Sequence, residues 1–247
     1  MMRPLLVLLV LALLAPPAVA QKPTADDILA RVERNLSSRN RVHTATMVIH
    51  TRRGDRTVTA KSWSEGSTRA LTEYLSPARE KGTKMLKLEG QLWIYTPATD
   101  RTIQISGHML RQSVMGSDLS YEDMMEDRKL TEVYDAELTG EATVDERACW
   151  VLALTAKVPD VAYQRRTMWI DRERLVPLKE ELSARSGQLL KKTEYSDVRR
   201  IGARWFPMVA VFRDMLKDGD GTEFRITDIA FDQSIPESLF SKAALRK

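Results

Sequence analysis

Met115-Gly116-Ser117-Asp118-Leu119-Ser120-Tyr121-Glu122-Asp123-Met124-Met125 interrupts a long strand-like stretch of this 247-residue chain with a short helical pattern. Tyr121, Met124 and Met125 recur at i, i+3 and i+4, one face of a helix. Ser120 with Asp123 forms a capping box. Glu122, Asp123, Glu126 and Asp127 read as a solvated face favoured by the helix dipole. Together with Asp118 they lack the alternating ligand spacing of a calcium loop. Met109, Met115, Met124 and Met125 crowd this region. Unbranched, polarizable side chains adapt to irregular apolar partners, so the segment reads as a cover over a greasy surface or cavity; ordinary core filling is the plainer alternative.

On either side the chain reads as short strands punctuated by turns. Before the insert, about six strands are predicted, among them His43–Ile49, Thr57–Trp63, Arg69–Leu75, Met85–Leu88 and Leu92–Tyr95, with turns at Arg53-Gly54-Asp55, Glu65-Gly66-Ser67 and Glu89-Gly90-Gln91. After it, turns fall at Asp145-Glu146, Asp171-Arg172, Ser186-Gly187, Ile201-Gly202 and Asp218-Gly219-Asp220-Gly221. This is the signature of an antiparallel meander. One helix precedes the strands. Thr24 caps it with Asp27, and Ile28, Leu29, Val32 and Leu36 form its apolar stripe. Pro236-Glu237-Ser238-Leu239-Phe240 predicts a short final helix.

Several strands are apolar on both faces. In Leu92-Trp93-Ile94-Tyr95, Trp93 and Tyr95 point one way and Leu92 and Ile94 the other, and Trp205–Phe212 behaves alike. Such a sheet needs cover on both sides, as in a sandwich, or a hollow on one. Composition alone favours the first reading.

The N-terminus carries an export pattern. Arg3 is a positive n-region, Leu5–Ala15 an apolar h-region, and Ala18-Val19-Ala20 a cleavage site, so residues 1–20 are expected to be removed and 21–247 to form one domain. The apolar run is short for a membrane span. The lone Cys149 excludes an intramolecular disulfide and sits in an apolar run, as an inert buried thiol does. A net charge of +4 is too mild to indicate nucleic acid. Arg52-Arg53, Arg165-Arg166 and Arg199-Arg200 read as edge protection at turns and strand ends.

Residues arranged for chemistry are few in this chain. His43, His50 and His108 are the only histidines, and the first two face opposite sides of a straight strand. No zinc spacing, nucleophile elbow, phosphate loop or dinucleotide fingerprint is present. Neither a catalytic residue, a metal nor a cofactor is assigned.

Gly116–Asp123 resembles the Gly-Ser-Asp-Phe/Leu-Ser-Tyr-Glu-Asp signature of the outer-membrane lipoprotein-sorting family, the LolA-like periplasmic carriers. Leu92–Pro97 resembles that family's Leu-Trp-x-Tyr-x-Pro strand, and Gly202–Pro207 its Gly-x-x-Trp-x-Pro stretch. Trp169-Ile170-Asp171 with Pro177-Leu178-Lys179 resembles a later hairpin. The resemblance implies a mainly β (α+β) fold: a strongly curved antiparallel sheet forming an incomplete barrel, closed by the N-terminal helix and the helical insert. It turns the two-faced strands toward the hollow. It also implies a non-enzymatic carrier, working as a monomer in transient membrane contact. The carrier binds a lipid or the acyl chains of a lipoprotein, between an inner-membrane exporter and an outer-membrane acceptor. The alternative is a sensor module that binds lipid or lipoprotein together with an envelope protein; a hydrolase on the same scaffold ranks third. The residues expected to line the cavity or its lid are Trp63, Trp93, Tyr95, Met109, Leu110, Met115, Leu119, Tyr121, Met124 and Met125, with Trp205 and Phe206 as weaker candidates.

Overall fold

The computed structural model describes residues 22–51, 54–126 and 128–246. The export segment at 1–20, the Arg52-Arg53 pair and Asp127 lie outside the described residues. Helix α1 (Ala25–Leu36) opens the described chain with the anticipated capping box, Thr24 accepting from the Asp27 N–H. Six strands follow: β1 (Asn40–Ile49), β2 (Arg56–Glu65), β3 (Arg69–Ser76), β4 (Lys84–Leu88), β5 (Gln91–Thr96) and β6 (Arg101–Ile105). The insert holds two 3-10 turns, Gly107–Arg111 and Val114–Gly116, then α2 (Tyr121–Met125) and α3 (Leu130–Val133). Seven strands complete the fold: β7 (Tyr134–Val144), β8 (Arg147–Ala156), β9 (Arg165–Asp171), β10 (Pro177–Ser183), β11 (Leu189–Ile201), β12 (Arg204–Asp214) and β13 (Thr222–Phe231). The anticipated final helix is instead a pair of 3-10 turns, Glu237–Leu239 and Lys242–Arg246.

All strands join one antiparallel sheet in the order β6-β5-β4-β3-β2-β1-β13-β12-β11-β10-β9-β8-β7. The chain lays down one half outward from β1 and returns through the second half from the far edge. β1 and β13 meet in the middle, and β6 and β7 are the two unjoined edges, so the sheet is not closed into a barrel.

Register partners share a face. One row therefore runs through Val58, Met47, Phe224, Ala210 and Tyr195. Its continuation on the same face is Thr193, Glu180, Met168 and Leu152. Both ends of this face are covered. Ile28, Leu29 and Val32 of α1 pack on Tyr134, Trp150, Leu152, Leu154, Met168 and Ile170 at the β7–β9 end. Their near-complete burial contributes about 1.5–3 kcal/mol each. At the other end, Met109, Leu110, Tyr121, Met124 and Met125 pack on Met85, Leu92, Ile94 and Ile105.

Two hydrogen bonds establish the curvature. Lys87 on β4 donates to the Met124 carbonyl at 2.8 Å, and Lys191 on β11 binds the Asp123 carboxylate. Six strand steps at ~4.8 Å would separate β4 from β11 by about 29 Å in a flat sheet. A five-residue helix rises only about 7.5 Å. Both strands reach adjacent residues of α2 because the sheet curls around it. The helices thus lie on the inner, concave face.

Candidate functional site

The signature segment is a bridge, and its residue types follow from what each must hold. Gly116 has φ +74°, a conformation that costs glycine least. Ser117 is buried, and its hydroxyl oxygen accepts from the Leu119 N–H at 3.2 Å. Asp118 ties the loop to the β12–β13 end, accepting from the Thr222 hydroxyl at 2.6 Å and the Asp214 N–H at 3.0 Å. Ser120 and Asp123 form the capping box that starts α2. Tyr121, Met124 and Met125 then face the apolar floor of β4–β6.

The acidic face of α2 is not the solvated surface anticipated. Asp123 is only 13% exposed at its side chain; it binds Lys191 and accepts from the Tyr163 hydroxyl at 2.5 Å. Burial raises the Asp123 pKa, but the Lys191 ammonium and the Tyr163 and Ser120 hydrogen bonds outweigh it and hold the carboxyl below the usual range. Glu126 binds Arg128, which reaches on to Asp160. The curl of the sheet brings cations from distant strands against this face, which helical periodicity alone does not reveal.

Between α2 and the β9–β12 part of the inner face lies a cleft of about 510 Å³. Arg166, Leu182 and Lys191 form one cross-strand row of its wall, and Glu180, Thr193 and Phe212 the next. Leu119, Met125 and Glu122 close it from the insert, and Ala162 and Tyr163 from the β8–β9 connection. Apart from Glu122, its charges are paired with one another. Arg166 binds Glu180 at 3.0 Å and the Tyr134 hydroxyl oxygen at 3.0 Å. Burial would lower the Arg166 pKa, but Glu180 and Tyr134 turn the shift upward, so it stays a cation. Arg166 is therefore an inward structural ion-pair partner and not the edge protection expected of the Arg165-Arg166 pair. Tyr195 donates to Glu180 at 3.3 Å, and burial, the largest cause, holds its phenol well above the usual range. A lining of apolar patches around paired charges suits an amphipathic ligand. A second hollow of about 50 Å³ lies under Met124, between Met85, Leu92, Lys87, Ala70 and Thr72.

The ten residues expected to line a cavity fall into separate groups. Leu119 and Met125 line the cleft, and Met124 lines the smaller hollow. Met109, Leu110 and Tyr121 pack with them over β4–β6, while Met115 and Leu119 cover Met47, Ile49, Val58 and Tyr74. Trp63, Trp93 and Tyr95 lie on the opposite, outer face, packed with Leu71 and Leu86 against Ala244 and Leu245 of the C-terminal turn. Strand alternation requires this: with Leu92 and Ile94 inward, Trp93 and Tyr95 point out. Phe206 is on the inner face, and Trp205 packs with Cys149, Val176 and Leu178. Sequence reasoning did not identify Arg166, Glu180, Lys191, Thr193 or Tyr195. The available signal was a charged or polar residue at the inward phase of an alternating strand.

Among the described residues, no group of three or more His, Cys, Asp or Glu side chains is placed to hold a metal ion, and no helix is long and apolar enough to cross a membrane.

An open antiparallel sheet curled around helical cover on its inner face is the LolA-like fold of lipoprotein-sorting proteins, and solved structures share it. A domain from Vibrio parahaemolyticus, assigned to outer membrane lipoprotein sorting, is 22% identical with a TM-score of 0.79, over 90% of this chain and 98% of that one. A DUF1329 family protein from Desulfovibrio piger is 25% identical with a TM-score of 0.80, over 90% and 97%. A LolA superfamily protein from Nitrosomonas europaea is 23% identical with a TM-score of 0.72, over 90% and 99%. No curated protein sequence matches the chain. One family model, described as "-like: Uncharacterized protein", matches residues 66–247, and the chain belongs to that family.

Proposed function

We propose that the protein is a periplasmic carrier that holds a lipid, or the acyl chains of a lipid-modified protein, in the inner-face cleft and moves it between the inner and outer membranes. The observation that carries this reading is the methionine-bearing helix α2, fastened to both halves of a curled sheet above a cleft of about 510 Å³. That volume falls in the range of small-molecule sites. Each methylene removed from water is worth about 0.8 kcal/mol, so an ordinary acyl chain costs roughly 10 kcal/mol to leave exposed. A carrier must match the membrane's burial closely, because a much better site would never release its cargo.

Met124 and Met125 suit that exchange, filling the space beneath α2 when it is empty and repacking around a chain when it is not. Met109, Leu110, Met115, Leu119 and Tyr121 complete the apolar cover under this reading. An inner-membrane exporter would load the carrier and an outer-membrane acceptor unload it, with direction set by the acceptor's tighter hold. The Leu5–Ala15 run and the Ala18-Val19-Ala20 site support export to the periplasm.

The test is transfer of a fluorescent phospholipid from donor to acceptor vesicles separated by a dialysis membrane. Transfer that rises with protein concentration supports the carrier. Stoichiometric binding without transfer would favour a sensor.

A further inference from the structure

The inner face carries a second polar feature outside the cleft. Among the described residues, four buried side-chain polar atoms have no hydrogen-bond partner: Asn40 Oδ1, Arg41 Nε, His43 Nδ1 and Arg69 Nε. Three of these four belong to the first four residues of β1. Arg69 is otherwise paired, with Glu65 and Glu237. Arg41 has no carboxylate partner among the described residues, and burial alone depresses its pKa.

Arg41 and His43 are two apart on β1 and so share the inner face with Met47. Their cross-strand neighbours there are Ser64 and Ser62 on one side, Phe231 and Ile229 on the other. The Arg41 guanidinium stands 5.9 Å from the Phe206 ring centroid, and the His43 ring meets Phe224 edge-on at 6.4 Å. The Ser62 and Thr72 hydroxyls, 2.8 Å apart, floor the next strands. Burial, then Arg41, pushes the His43 pKa down to about 3, so at neutral pH its ring is uncharged and one nitrogen carries a hydrogen.

A buried cation without a counter-charge is costly, and the edge formed by Nε and a terminal nitrogen of arginine fits two oxygens of a phosphate or carboxylate. That edge is the one Arg41 leaves unused. We propose that Arg41, with His43 and the Ser62–Thr72 hydroxyl pair, is a subsite for an oxyanion, a phosphate or carboxylate, carried as the head of the amphiphile that the cleft holds or taken as a free ion. The headgroup form rests on the carrier reading above. Met47 lies under the insert, and Arg41 is six residues further along β1, about 20 Å at ~3.4 Å per residue. An extended amphiphile with its chain under the cover would span that length.

The test compares the protein with Arg41→Met and Arg41→Lys, titrating a dodecyl phosphate, a dodecyl glucoside of the same chain length, and inorganic phosphate. The protein is expected to bind the alkyl phosphate at least about tenfold more tightly than the glucoside. Arg41→Met should bring that ratio to about one with glucoside affinity unchanged, and Arg41→Lys should retain only part of it. Arg41→Met, which removes an unpaired buried charge, should also melt no lower than the parent without ligand. A tenfold preference that survives in Arg41→Met overturns the proposal. If neither amphiphile binds, the carrier reading fails on its own, and inorganic phosphate decides the subsite: a rise in melting temperature absent from Arg41→Met upholds a free-ion site, and no rise overturns it.

Discussion

Lys87 and Lys191 stand six strands apart in the sheet, yet they bind adjacent residues of α2, the Met124 carbonyl and the Asp123 carboxylate. The two lysines fasten one short helix to both halves of the fold. α2 is therefore a strut as well as a cover, and its release would let the two halves part.

Lys191→Met should loosen this strut. Asp123 would lose its largest attractive partner while staying mostly buried, at a cost of about 3 kcal/mol. Urea denaturation should register the loss, and hydrogen exchange should quicken across residues 117–126 while β7–β9 stay protected. The double change Lys191→Met with Asp123→Asn should recover much of the stability, because no lone charge remains.

Asp118→Ala removes the acceptor shared by Thr222 and the Asp214 N–H, and Thr222 is fully buried. A loss of about 1–3 kcal/mol is expected by chemical denaturation, with an unchanged denaturant slope. Asp118→Asn should lose less, since its carbonyl oxygen can still accept one of the two bonds.

Acid should find His43. Its folded pKa of about 3 lies below the unfolded value of 6.5. Between those values the unfolded chain binds more protons than the folded one, so stability falls as pH drops through that window. His43→Gln should show a shallower loss of unfolding free energy from pH 6.5 to 4. Identical slopes in the two proteins would mean that His43 is not buried in its neutral form.

The two faces of the sheet should separate in their effects. Met124→Asp with Met125→Asp should abolish amphiphile binding while leaving a folded protein, because both side chains are only half-buried. Trp93→Ala, on the outer face beneath the C-terminal turn, should cost about 3–5 kcal/mol of stability and leave ligand affinity unchanged. Calorimetric titration beside thermal melts reads both.

Much of this architecture was legible in local pattern. Thr24 with Asp27 and Ser120 with Asp123 announced α1 and α2 by short-range hydrogen bonding. Turns such as Asp145-Glu146 and Gly202 announced strand ends through positive φ. The phase of Leu92-Trp93-Ile94-Tyr95 was legible too, but which phase faced inward was not. That depends on where the C-terminal Ala244 and Leu245 pack, a contact far away in sequence. For the same reason Asp123 looked solvated. Its partners Lys191 and Tyr163 lie 68 and 40 residues away and arrive only through curvature. Local periodicity specifies elements, whereas the cleft is made by the closure of one half of the sheet on the other.

Native mass spectrometry of the protein released gently from cells, followed by analysis of its organic extract, shows whether α2 covers a bound lipid. On the carrier reading, one lipid or acylated species per chain is expected, absent from the Met124→Asp/Met125→Asp variant prepared in parallel. An equal lipid content in that variant, or a parent protein that stays empty when expressed alongside its native envelope, would contradict it.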